Sequence, residues 1–514
     1  MSDDNAPTPA APATTAVSTV ADEASEALDI KRFLSSMRLN PDISEPVPMI
    51  SNNLETVAED IRDEDRFISG MAAVLMNIDS ETGKFDKGAV QSLIARIDDL
   101  VNAQLNEIIH HENFKRMESD WRSLNDLILT TNFKADVMID IIDVSKDELY
   151  DDFDSNAVDI TGSALFKKVY LAEYDQYGGK PYGCIVGLYE TEHTPRDEFW
   201  LRIMGKISSA SHAPYIGAVS PKFFGCQNIE ELSAIKDLEG MMNHPRFGSW
   251  NKLRESEAAA YIGLTLPRYI LRQPYDPETN PCGRGDFTFK EDVRGDNSAD
   301  YLWGSATILF AQNMIRSFAT SGWCQYLRGP KGGGLVTGLP VHMFNIRGEE
   351  EMKIPVEMVI PDYRELEFAN AGFMPLIYRK GTADACFFSC QSLKKSKKFK
   401  DPKDSENSQL VTNLSYTLSI TRIAHYVKSI MRDNIGSSAD AVYIANTLNA
   451  WMFRYVTTVV NPDDLTLRYY PFKAASVSVA DRPGMIGWYD CQISVLPHIQ
   501  FEGMDVELRL DARL

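Results

Sequence analysis

The stretch LRIMGKISSASHAPYIGAVSPKFFG (201–225) decides the fold class. Phe199, Ile203, Met204 and Ile207 recur at helical spacing, His212-Ala213-Pro214 breaks the pattern, and Tyr215 to Val219 is a short apolar run. That order predicts a helix, a tight turn and a buried strand. WNKLRESEAAAYIGLTLPRYILR (250–272) continues in the same texture. Further out, GCIVGLY (183–189) and VMIDIIDV (137–144) read as strands; Leu165, Phe166, Val169 and Tyr170 mark a helix, and IEELSAIKDLEGMM (229–242) another. Strands alternating with helices predict a mixed α/β fold with helices packed on a sheet.

Upstream, Val90, Leu93, Ile94, Ile97, Leu100, Val101, Leu105, Ile108 and Ile109 share one helix face. ENFKRMESDWRSLNDLI (112–128) carries a second stripe: Phe114, Met117, Trp121, Leu124, Leu127 and Ile128. Trp121 is the expected anchor between helices, with Phe114 and Leu124 packed beside it, because aromatic rings dominate burial. Residues 1–27 are Ala, Thr, Pro, Ser and acids, too polar to offset the entropy of ordering, and predict a flexible arm.

Downstream, a Pro/Gly/Asp-rich loop (273–297) precedes a helix near 300–321 and a mixed segment, 354–393. KKSKKFKDPK (394–403) is a loop with six lysines, followed by a helix over roughly 407–433 and another around Ala450. AASVSVA (474–480), GWYDCQISVLP (487–497) and MDVELRLDA (504–512) read as half-buried antiparallel strands. In the last, Val506, Leu508 and Leu510 alternate with Glu507, Arg509 and Asp511. The expected organisation is an arm (1–65), a helical region (66–134), a central α/β domain (135–393), the lysine loop (394–406) and a C-terminal domain (407–514).

The 514 residues are too many for one core. Asp and Glu number 73 against 52 Lys and Arg, for a net charge of −21, which argues against a general nucleic-acid binder. The first 20 residues have neither the basic nor the apolar region of a secretory signal, and no run reaches the ~20 apolar residues of a membrane span. Seven scattered cysteines fit reduced thiols better than a disulfide framework. A cytoplasmic protein is the expectation.

The motifs that carry chemistry are incomplete. In GPKGGGLVTGLP (329–340), Gly334 is followed by Leu335 and Val336, not by the Lys-Ser/Thr of a phosphate-binding loop, so a structural turn is expected. His110-His111-Glu112 lacks the second histidine of a zinc helix, and Cys386 and Cys390 have no nearby second pair. Ser211-His212 sits at a helix end, where capping is the expected role. No residue is singled out as catalytic, cofactor-binding or metal-ligating. The lysine run could contact an acidic neighbour.

Further blocks run in order along about four-fifths of the chain: YLWGSATILFAQNMIRSFATSGWCQYLRGPKGGGLVTGLPVHMF (301–344), ANAGFMPLIYRKGTADACFFSCQS (369–392), SITRIAHYVKSIMRDNIGS (419–437) and RPGMIGWYDCQISVLPHIQFEGMDVELRL (482–510). Together with 201–225 and 112–128 they resemble the large subunit of the type VI secretion contractile sheath, the TssC/VipB family. The resemblance implies a phage tail-sheath-like fold with no enzymatic activity and no cofactor. It implies pairing with a small sheath subunit (TssB/VipA-like), expected to contact the helical region, and stacking of protomers in six-fold rings around an inner tube (Hcp-like). It also implies a baseplate and recycling by a AAA+ ATPase (ClpV-like). In such an assembly Val506, Leu508 and Leu510 form a candidate inter-protomer strand, since a free strand edge invites pairing from another chain. A phage-type tail sheath and a cytoplasmic α/β enzyme are the alternatives.

Overall fold

The computed structural model describes residues 87–282, 287–295, 297–346, 348–397, 399–485 and 487–498. The expectations for the 1–65 arm and for the 504–512 strand lie outside them. The chain divides into two compact units, residues 1–105 with 285–287 and residues 106–284 with 288–514. In the first, the described part is essentially the start of the Lys87–His110 helix, whose Ile94, Ile97, Leu100 and Val101 are exposed.

The second unit contains β1 (Ile185–Thr191), β2 (Tyr215–Val219), β3 (Ile262–Leu266), β4 (Tyr269–Ile270), β5 (Trp303–Gly304), β6 (Leu335–Val336), β7 (His342–Ile346), β8 (Glu349–Lys353), β9 (Met374–Tyr378), β10 (Ala385–Phe387), β11 (Phe472–Asp481) and β12 (Tyr489–Pro497). A six-stranded sheet runs in the order β1-β2-β3-β9-β10-β6. β1, β2, β3 and β9 are parallel; β10 and β6 complete it in antiparallel sense. The mixed α/β class read from the sequence is the class observed.

Every residue of β2 and β3 is buried, as a parallel sheet covered on both faces requires. On one face the Pro195–Ser211 helix contributes Trp200, Leu201, Ile203, Met204 and Ile207 to a core with Tyr215, Trp250, Ile262, Leu264 and Phe373. On the other, the Ala306–Ser321 helix and the start of the Leu414–Asp433 helix place Leu309, Phe310, Leu414 and Leu418 against Ile216, Met374 and Leu376. The Pro195–Ser211 helix starts where its residues dictate: the Thr194 side chain accepts the Asp197 amide at 3.1 Å and Pro195 occupies the first turn. Gly205 lets it lie close to the sheet, since a Cβ there would stand 2.9 Å from Ile262 Cδ1.

The C-terminal part is a smaller body. β11 and β12 form an antiparallel hairpin from Phe472↔Pro497 to Asp481↔Tyr489, so the strands expected at 474–480 and 487–497 are paired. The Ala441–Met452 helix packs Ile444 and Leu448 on Val477, and Asn449 bonds both backbone groups of Val477 at 3.1 and 3.2 Å.

Three element expectations are corrected. Residues 137–144 form no strand; side chains hold the segment instead, with the Tyr182 hydroxyl donating to Asp140 Oδ2 at 2.6 Å and the Tyr189 hydroxyl to the Val144 carbonyl at 2.5 Å. The 229–242 helix is two short helices, Ile229–Ala234 and Leu238–Met242, because Arg364 captures the Leu232 and Ile235 carbonyls and Asp237 caps a new start. The 407–433 helix is broken at Asn413, which caps Leu414–Asp433 while the Leu414 amide bonds the Cys390 carbonyl at 2.8 Å.

Candidate functional site

The glycine loop is a closed structural turn. The Gly329 amide bonds the Phe387 carbonyl at 2.7 Å, the Phe387 amide bonds the Gly334 carbonyl at 3.0 Å, and the Gly334 amide bonds the Gly329 carbonyl at 2.9 Å. Arg316 donates to the Gly333 and Leu335 carbonyls, and Asn313 to that of Gly334. The Gly329 and Gly334 amides therefore already have backbone partners, and a Cβ at Gly334 would meet the Phe387 carbonyl oxygen at 2.3 Å.

The other chemical candidates also have structural roles. His111 Nδ1 accepts the Asn113 amide at 3.3 Å and starts the Glu112–Thr130 helix. His212 ends the Pro195–Ser211 helix in the left-handed conformation, φ 51°. All seven cysteines are free; burial pushes the Cys386 thiol up to about 12, away from thiolate reactivity. Among the described residues no three His, Cys, Asp or Glu side chains converge to hold a metal.

Instead, the structure assembles two polar constellations that the sequence did not announce. In the first, Arg272 bridges two carboxylates, with Nε 2.8 Å from Glu118 Oε1 and Nη1 2.5 Å from Glu291 Oε2. His110 Nε2 lies 3.3 Å from Glu291 Oε1, the Tyr275 amide donates to Glu291 Oε2 at 2.9 Å, and Arg122 joins Glu118 at 2.6 Å. Burial opposes the Glu291 charge, yet the hydrogen bonds from His110 and Arg272 and the Arg272 charge hold its pKa down at about 2. With Lys115 and Ser119 bonded to the Ala299 and Trp303 carbonyls, this network ties the Glu112–Thr130 helix to the long 272–303 connection.

The second constellation joins the sheet body to the Leu414–Asp433 helix. His425 Nε2 donates to the Ser211 carbonyl at 3.0 Å, Lys428 Nζ lies 3.8 Å from the Tyr174 ring centre and 2.6 Å from Asp175 Oδ1, and Arg432 donates to the Tyr174 and Gln176 carbonyls. Tyr174 ends a π-helical turn, Lys167–Tyr174. Burial, with His212, Lys428 and Arg422 nearby, lowers the His425 pKa to about 4, so the ring is neutral at neutral pH. No local motif signals either constellation: Arg272 and Glu118 are 154 positions apart, and Lys428 and Asp175 are 253 apart.

Of the packing residues expected on the 112–128 stripe, Phe114 and Leu124 are half-buried, but Trp121 is 69% exposed, which corrects its reading as a core anchor of this chain. The helix buries Ser123 and Leu127, and Leu127 packs on Ile308 and Ala311 of the Ala306–Ser321 helix. Small Ser119 and Ser123 face the body, so Met117, Trp121 and Ile128 remain outside. Val506, Leu508 and Leu510 lie outside the described residues.

An α/β body with closed glycine turns and unfilled apolar faces has the character of an assembly component, and the comparisons agree. The family model described as VipB, EvpB/VC_A0108 tail sheath N-terminal domain, matches residues 91–394; its companion, the tail sheath gpW/gp25-like domain, matches residues 403–514. Both describe tail-sheath domains. The type VI secretion system sheath protein TssC1 of Pseudomonas aeruginosa PAO1 is 39% identical over 429 residues, 83% of this chain and 86% of that protein. The chain belongs to the TssC/VipB family of type VI secretion sheath proteins, a structural family. Two solved structures overlap more loosely: an anti-feeding prophage baseplate (10% identity, 74% of this chain, 84% of that chain, TM-score 0.35) and the contracted helical sheath of the same particle (11%, 62%, 68%, 0.28). Neither overlap is close enough to define a shared fold. No helix among the described residues is long and apolar enough to cross a membrane.

Proposed function

We propose that this chain is the large subunit of a cytoplasmic contractile sheath, without catalytic activity of its own. It pairs with a small TssB/VipA-like subunit through its helical region, stacks in six-fold rings on an Hcp-like tube from a baseplate anchored at the inner membrane, and contracts to drive the tube outward. A ClpV-like ATPase then disassembles it, reached through the small subunit. Beyond family membership, the observation that carries the reading is unpartnered apolar surface: Met117, Trp121, Ile128 and Leu129 on one helix, and Trp488 and Leu496 on the β11–β12 hairpin, are all at least 37% exposed. Monomeric soluble proteins rarely leave such faces bare. Residues 504–512, whose sequence alternates Val506, Leu508 and Leu510 with charged residues, are proposed to pair as a strand with a neighbour's sheet.

Co-expression with the small subunit followed by electron microscopy tests this. The chain alone aggregates, the pair is soluble, and the pair forms tubular sheaths. The pair carrying Leu508→Asp stays soluble but forms no long sheaths. A stable monomer that ignores the small subunit would contradict the assembly reading, and full-length sheaths from Leu508→Asp would remove the strand from it.

A further inference from the structure

We infer that the lysine segment of one copy docks on the acidic β7–β8 hairpin of another, a head-to-tail contact along the sheath; this rests on the sheath reading above. The lysine segment is built from a fixed base. Lys394 is buried and paired with Glu257, the Leu393 amide bonds the Ile262 carbonyl at 2.8 Å, and the Lys395 amide bonds the Arg254 carbonyl at 2.9 Å. The Lys397 and Phe399 amides then bond the Ser408 and Ser405 hydroxyls of the Pro402–Thr412 helix at 2.8 and 2.9 Å. From this pinned backbone Lys395, Lys397 and Lys400 are exposed, and none pairs with a carboxylate among the described residues.

The β7–β8 hairpin presents the opposite charge. Glu349, Glu350 and Glu351 are consecutive and exposed on β8, opposite Ile346, Asn345 and Phe344, and none has a cationic partner among the described residues. On the strand Glu349 and Glu351 share one face and Glu350 takes the other; like charges so close repel and do nothing for the hairpin's own stability. The hairpin is held elsewhere: the Tyr301 hydroxyl and His342 Nδ1 are 2.8 Å apart, and Lys353 Nζ reaches Ser298 Oγ at 3.0 Å.

Position makes the contact intermolecular. The lysine segment is fastened to Ile262, the first residue of β3. The hairpin leads into Pro355, whose carbonyl accepts the Ile270 amide at 2.8 Å, just past the carboxyl end of β3. The five residues of β3 alone put about 15 Å between the two anchors, and they face opposite ends of the strand. Complementary patches anchored at the two ends of β3 meet between copies, and such a heterologous contact, when its rotation does not close, propagates a filament. On a chain of net charge −21, a local lysine cluster also selects register and partner, since like-charged faces repel.

The test is a charge swap in the chain co-expressed with its small subunit: Lys395→Glu/Lys397→Glu/Lys400→Glu, Glu349→Lys/Glu350→Lys/Glu351→Lys, and the six changes combined. Gel filtration reads the large–small complex; electron microscopy reads sheath length. Each triple variant is expected to keep the complex and to shorten sheaths by about tenfold, with the combined variant returning them to within about twofold of the parent. Raising the salt from about 50 mM to about 500 mM should shorten parental sheaths and lengthen those of the triple variants, because screening weakens both attraction and repulsion. Parental length in either triple variant, or no recovery on combination, overturns the contact; lysine variants unrescued by the swap would point to another acidic partner. A parent pair that forms no polymer at any salt would remove the sheath reading, and this contact with it.

Discussion

β2 and β3 are buried along their whole length, whereas β11 buries only Phe472 and Val477 and every residue of β12 is half-buried or exposed. The parallel strands are sandwiched between helices and complete within the chain. The hairpin rests on the Ala441–Met452 helix and, through Phe472, on Trp323 and Ile423, and β12 carries an outer edge with no strand beside it among the described residues. The difference separates what this chain can stabilise alone from what it offers to others. Core side chains around the central sheet should govern folding; side chains on the hairpin and on the outer face of the Glu112–Thr130 helix should govern assembly.

The sharpest way to break that comparison is Trp200→Ala. Trp200 is 1% exposed among Phe153, Tyr189 and Tyr215, and its truncation should cost about 3–5 kcal/mol. Denaturant unfolding of the co-expressed complex measures it, and a loss below about 1 kcal/mol would mean the sheet body is not the stability core.

Arg272→Met comes next. It leaves Glu118 and Glu291 buried without their shared cation, and breaking a buried pair costs about 3–5 kcal/mol where access is poorest and less where Glu118 is partly wet. A midpoint unchanged from the parent would show that Arg122 and His110 suffice.

Acid sharpens the comparison further. His425 is neutral when buried, with its pKa lowered to about 4 from 6.5, so the unfolded state binds its proton first and stability falls as the pH drops from 6.5 toward 4. The Glu291 pKa is depressed to about 2 from 4.5, so its contribution is complete above 4.5 and is lost as the pH falls below that. A urea midpoint followed against pH should therefore decline in two stages, and His425→Gln should shrink the first, to which His193, His212, His342 and His498, also lowered by burial, contribute. A flat profile between pH 6.5 and 4 would refute the buried neutral imidazole.

The smallest expected effect is the complement of the first. Trp121→Ala and Leu496→Ala, at 69% and 42% exposed, should each change stability by no more than about 0.5 kcal/mol while weakening assembly with the small subunit or between copies. Cooperative unfolding displaced as far as in Trp200→Ala would erase the distinction between the two regions.

Much of this was legible beforehand where the signal is local. The 195–211 helix, the 215–219 strand and the 472–497 hairpin follow from periodicity, capping residues and turn chemistry held within a few positions. Ordered blocks over four-fifths of the chain carried the family. Periodicity alone does not say which face of the Glu112–Thr130 helix turns inward. The apolar stripe through Trp121 and the small polar stripe through Ser119 and Ser123 both repeat at helical spacing, and the close approach of Ile308 and Ala311 selects the second. Nor does a list of charges reveal that Arg272 meets Glu118, or that His425 reaches Ser211 across 214 positions. Local sequence sets elements through nearest-neighbour sterics and hydrogen bonds. Only tertiary packing decides which faces are consumed inside the chain, because burial depends on what another distant segment brings against them.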